Sequence, residues 1–520
     1  MVVTNTDWGI LIVFFVIFLL MAIWINTHVK SVADFLVSGR KVKMWLGMGA
    51  GVAGEIGLVT IVSICEQGYM RAFGFVLLSL ISSLILLPIF GIFGFGIERF
   101  RATQAMSVPQ YIEMRYSKRL RILTGYFNNL SGILQMAIFP IVGANFIKVL
   151  INAPEHVSLI GLHFPTTWLI MAILLGCAIL FTNFGGYVTL IVTNFFQMII
   201  IVGSLYWLFF VLVADLGVQN FWTKIELYKG LNGVYSFGEG SEYGIFYFLW
   251  LTIMSILLQF SYGPYLQKYA SMDKPKTARR SYLIGMIFGQ GRTYIIIGIG
   301  AAALAALGPD APSSMNVAPY IWNSMATPYY LSHVVPPILM GIFLTGLLFA
   351  DVSTTDQYVL SWSTSIVNDC ICPLKKTPFS TTSHIRAVKL TTIVICFFLF
   401  LFGIIYKPTM PIWEYLWLCA NIIGGSGIAV LAGMYWKRAT TAGAYAAILL
   451  SLFLPIADMI ARRIFLAINP EGIFPWEPKY TGFSTYVVAA IAMIVISLMS
   501  QKKTKYWDLG QTVRDLNKAK

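Results

Sequence analysis

Ala350, Ser353, Thr354, Gln357, Ser361 and Thr364 recur at spacings of three, four and seven, directly after the apolar run 337–348. On a helix these positions share a face, so a small, oxygen-rich stripe runs along a rod at membrane depth. The hydroxyls of Ser353 and Thr354, beside the bare backbone of Ala350, suit a small hard cation, which takes oxygen ligands. The same stripe also suits close packing of two helices. On the stripe alone both readings stand.

Two interrupted spans could face it. The second hydrophobic span carries Gly47, Gly49, Gly51, Gly54 and Gly57 around Ala53-Gly54-Glu55-Ile56. The seventh carries Gln259, Tyr262, Gly263, Pro264 and Tyr265. Glycine and proline at this depth free backbone groups that then need another partner. The two breaks lie about 200 residues apart, in spans that cross in opposite directions. Matched breaks of opposite orientation point to an inverted-repeat transporter with its site at the midplane. Glycine used only for close packing is the alternative.

The chain that carries these features has 520 residues, 58% hydrophobic and 11% charged, which makes it a polytopic all-α membrane protein. About 13 spans are expected, at 8–25, 45–67, 73–98, 122–150, 165–184, 186–214, 243–270, 281–307, 335–367, 385–406, 411–436, 442–463 and 482–500. No Lys or Arg precedes the first, so it reads as a retained helix rather than a cleaved signal. With the N-terminus outside, the inside segments collect Arg40, Lys41, Lys43, Arg99, Arg101, Lys268, Lys274 and most other basic residues. That asymmetry obeys the positive-inside rule and accounts for the net charge of +14 without a nucleic-acid partner. The C-terminus is then cytoplasmic, in a plasma (inner) membrane. The six cysteines and five histidines show no metal-ligand spacing, and no hydrolase, P-loop or zinc-protease motif is present.

Four stretches together resemble the sodium:solute symporter family. They are Asp34 to Arg40, Val108 to Tyr116, Gln267-Lys268-Tyr269, and Ala350-Asp351-Val352-Ser353-Thr354, which is similar to the family's sodium motif. The resemblance runs from about Asp34 to Arg438. It implies a leucine-transporter-like fold: a 5+5 inverted repeat, the first helix of each repeat broken, with extra terminal helices. The implied division is a first helix and loop (1–43), one repeat (44–214), an extracellular connector (215–242), a second repeat (243–438), further helices (439–501) and a cytoplasmic tail (502–520). It also implies a Na+ site made by the carbonyls of Ala53, Ile56 and Ala350 with the hydroxyls of Ser353 and Thr354. The chain departs from the family at Asn194, where many members carry a carboxylate. That departure implies one sodium per solute.

Glu55, Arg292, Asp351 and Asp356 are charges at membrane depth, where each costs at least about 2.5 kcal/mol and usually faces a cavity or a partner. Arg292 in a cavity would favour a solute with a carboxylate or many hydroxyls. Asp351 and Asp356 miss the stripe and are expected paired or at the inward mouth. Tyr262, Tyr265 and Gln259 suit stacking and directed hydrogen bonds to a ring. Thr60 and Gln290 complete the expected solute cavity. The expected function is sodium-coupled import of a small polar solute, a sugar or sugar-like molecule first. A proline-like amino acid, an organic acid or a vitamin is the alternative. A monomer in the bilayer suffices for this. An uncoupled facilitator, a solute sensor and an intramembrane enzyme are the rivals; the last lacks a recognisable catalytic set.

Overall fold

The computed structural model describes residues 3–26, 42–159, 161–230, 244–311, 319–375, 379–406, 410–469 and 474–501. The Asp34–Arg40 motif, part of the 215–242 connector and the tail 502–520 lie outside them.

In chain order come α1 (Asn5–Asn26), α2 (Met44–Glu55), α3 (Leu58–Arg71), α4 (Gly74–Ala102), α5 (Val108–Arg115) and α6 (Lys118–Leu150). A short hairpin follows, β1 (His156–Leu159) antiparallel to β2 (Leu162–Pro165). Then come α7 (Thr166–Asn183), α8 (Gly186–Leu216), α9 (Val218–Lys229), α10 (Gly244–Ser261), α11 (Gly263–Ser271) and α12 (Pro275–Leu307). The last are α13 (Pro319–Val334), α14 (Leu339–Ser365), α15 (Thr381–Ile405), α16 (Ile412–Asn421), α17 (Gly424–Tyr435), α18 (Thr441–Ile468) and α19 (Pro478–Met499). Among the described residues, eleven helices are long and apolar enough to cross a membrane, and two bent pairs bring the spans to as many as thirteen.

The helices differ in what surrounds them. α1 turns Ile12, Val13, Ile17, Leu20 and Trp24 outward, as a lipid-facing helix must. α14 is the opposite: every residue from Leu339 to Ser363 except Ile342 is buried, its polar stripe included. α1 nevertheless helps to place α14. Asp7 accepts the backbone N–H groups of Ile338 (2.8 Å) and Gly341 (2.9 Å), filling the orphan donors at the start of that helix.

Among the described residues, three spans are sharply broken. α2 and α3 meet at 61° across Ile56 and Gly57. α10 and α11 are separated by Tyr262 alone, held extended at φ −82°, ψ 115°. The third break, 47° between α16 and α17, is a correction to the expected continuous span at 411–436. Its signal was the run Gly424-Gly425-Ser426-Gly427, which lies just past the bend.

Candidate functional site

The break in the second span opens onto α14. α2 ends at Glu55, and Ile56 leaves the helical region at φ −102°, ψ 74°. The Ala53 carbonyl keeps one backbone donor there, the Ile56 N–H at 3.1 Å. Ser353 Oγ lies 3.2 Å from the Ala53 carbonyl oxygen and 3.3 Å from that of Ala350. Thr354 Oγ1 lies 3.2 Å from the Gly54 carbonyl oxygen. Ala53, Ile56, Ala350, Ser353 and Thr354 are all almost fully buried. Three of the five expected ion ligands, Ala53, Ala350 and Ser353, are thus linked by direct contacts; Thr354 reaches the break through Gly54, an addition to the set, and Ile56 joins through its N–H to Ala53 (3.1 Å). Close approach needs glycine here. A Cβ at Gly54 would collide with Gln357 Oε1, and one at Gly57 would sit 3.0 Å from Thr354 Cγ2.

On the other side of α14, Asn194 Nδ2 donates to the Ser353 carbonyl at 3.3 Å, which pins the helix carrying the hydroxyls. Asn194 Oδ1, both amide atoms of Gln197 and Asp356 Oδ1 are buried without a hydrogen-bond partner. The expectation for Asp351 and Asp356 is corrected: both are buried within the bundle, and among the described residues neither forms an ion pair.

The solute-cavity candidates fall into separate groups. Glu55 pairs with Lys268 (3.3 Å) and faces Arg292 (3.6 Å), whose Nη1 also donates to the Val52 carbonyl at 2.7 Å. Lys268 was expected among the loop charges. It is instead nine-tenths buried on α11. Tyr262 stacks edge-on against Tyr265, Tyr358 and Trp362 at 5.1 to 5.4 Å. Gln259 accepts from Tyr269, and Gln290 accepts from Ser79. Thr60 is half-buried on α3, with its carbonyl accepting from Ser63. Tyr358 and Trp362 escaped the sequence reading because they sit on the stripe helix between its small residues. A cavity of about 190 Å³ reaches Gly263 and Trp362 at this second break and continues along Ser361, Gln267, Asn128 and Asp369.

Residues 35–451 match the model of the sodium:solute symporter family. The chain belongs to the sodium:solute symporter family. The family is one of sodium-coupled transporters, and sodium is this member's coupling ion. Its relatives include a sodium/pantothenate symporter of Haemophilus influenzae, 22% identical over 74% of this chain and 75% of that one. A sodium/proline symporter of Staphylococcus saprophyticus is 22% identical over 75% of this chain and 73% of that one. The structure of a Na+-coupled sialic acid symporter, caught substrate-bound and outward-open, superposes with a TM-score of 0.77 at 17% identity. That match covers 95% of this family member and 98% of the other chain, so the two share a fold.

Proposed function

We propose that this chain imports a small polar organic solute together with one sodium ion by alternating access. The ion would lie at the α2–α3 break, held by the carbonyls of Ala53, Ile56 and Ala350 and the hydroxyls of Ser353 and Thr354. One observation carries the reading: two hydroxyls of α14 sit at hydrogen-bond distance from carbonyls in the last turn before a helix break. A hydroxyl that donates to a carbonyl can rotate and turn a lone pair toward a cation. Sodium would then join α2 to α14 in one conformation and be released in another, which is the differential contact that coupling requires. Residues 44–214 and 243–438 would be the two repeats, in a plasma membrane with the N-terminus outside. A sugar or sugar-like solute remains the first candidate. The named cargoes of the relatives, pantothenate and proline, keep vitamins and amino acids open.

The test is uptake into proteoliposomes under an imposed sodium gradient. Wild type should accumulate solute with a Hill coefficient for sodium near one, and Ser353→Ala/Thr354→Ala should lose the sodium dependence. A coefficient near two would refute the single ion; unchanged uptake by the double variant would refute the site.

A further inference from the structure

We infer that the solute carries a carboxylate, and that Lys268 and Arg292 select it. This rests on the symport reading above and adds the charge of the cargo.

Glu55 is the last residue of α2, and each of its oxygens faces one cation: Lys268 Nζ at 3.3 Å and Arg292 Nη2 at 3.6 Å. Both cations are nine-tenths buried, whereas the Glu55 side chain is 34% exposed. Among the described residues no other carboxylate lies within ion-pair distance of either cation. Two buried positive charges therefore share one negative charge at membrane depth, where an uncompensated charge is costly. Nη1 of the guanidinium donates to the Val52 carbonyl at 2.7 Å, and Nη2 makes only a long contact, 3.6 Å, with Glu55. A guanidinium presents its donors as a planar fork that fits a carboxylate bidentately.

An incoming carboxylate supplies the missing negative charge, and the exposed member of the trio, Glu55, is the one free to move aside for it. A neutral sugar would leave the excess charge in place. Sodium held beside Ala53 and Ile56 adds a further positive charge next to Glu55, so acid and ion strengthen each other's binding by the same factor.

Thermal melts of the purified full chain test this with matched solutes: glucuronate against glucose, gluconate against glucitol, pantothenate against panthenol, each in sodium and in potassium. The expected result is stabilisation by acids and not by their neutral partners, with less sodium needed when the acid is present. Arg292→Gln and Lys268→Gln should each weaken acid binding by about tenfold or more, with Arg292→Lys intermediate. A cooperative melt in sodium alone shows that each variant is folded. The inference is overturned if a neutral partner stabilises as well as its acid, if no acid stabilises, or if both Gln variants bind the acid like wild type. Stabilisation by acid that ignores sodium would remove the symport reading and leave this one standing.

Discussion

The breaks in the second and seventh spans solve the same problem with different chemistry. Each interrupts the helical hydrogen bonding of a span, and carbonyls beside the break take side-chain donors. At the second span the donors are hydroxyls, Ser353 and Thr354. At the seventh, Asn128 Nδ2 donates to the Ser261 carbonyl at 3.1 Å, and Asn128 Oδ1 is itself taken by Ser426 at 3.0 Å. A hydroxyl can exchange donation for acceptance by turning about one bond; an amide held at both ends cannot. The surroundings differ in the same sense. The first break lies among the small residues Ala53, Gly54, Gly57, Ser353 and Thr354, while the second is walled by Tyr262, Tyr265, Tyr358 and Trp362 beside a cavity. On the proposed reading, the first break would take the ion and the second the organic solute.

Substitutions at the two breaks should therefore have separable effects. The largest is expected from Ser353→Ala/Thr354→Ala. Two charge-assisted contacts at about 1.5–3 kcal/mol each predict at least about a hundredfold rise in the sodium concentration for half-maximal uptake. Next comes Gly132→Ala on α6, whose added methyl would collide with the indole of Trp362. Overpacking a rigid ring costs about 1–3 kcal/mol, so the melting temperature and solute affinity should fall while sodium affinity holds. If sodium affinity fell with it, the two breaks would not be separate sites.

Smaller effects sharpen the same contrast. Gly57→Ala must push Thr354 by a few tenths of an ångström, so sodium affinity should weaken by about threefold to tenfold with solute recognition preserved. Tyr262→Phe removes a buried hydroxyl at the second break, and should lower solute affinity a few-fold without touching sodium.

The smallest effect concerns the contact that ties the two spans together. Lys43, just before α2, pairs at 2.8 Å with Asp273, just after α11, and hydrogen bonds from Lys43 and Thr277 hold that carboxyl below its ordinary range. A lowered folded value means stability that is present above the ordinary carboxylate range and lost as pH falls through the folded value. The pair is exposed, so Lys43→Ala should cost less than about 1 kcal/mol, and only above that pH.

Much of the fold was legible because a bilayer leaves helices few alternatives: span length marked the helices, and the glycines at Gly54 and Gly57 marked a break that close packing alone could also have explained. Ser353 and Thr354 were legible from helical spacing. What was not legible depended on which face of one helix meets another. Lys268 reads as a loop cation from its basic neighbours, yet it lies over Gly51 with its ammonium on Glu55. Tyr358 and Trp362 carry no periodic signal of their own. The α16–α17 bend was hidden because Ile422 and Ile423, where it turns, are ordinary apolar residues.

Binding of radioactive sodium to the purified chain, with no solute present, addresses the ion site without relying on knowledge of the cargo. Wild type should bind one sodium per chain, and Ser353→Ala/Thr354→Ala, folded by its melt, should bind none at concentrations that saturate wild type. Equal binding by the two proteins would contradict an ion held between the broken second span and α14.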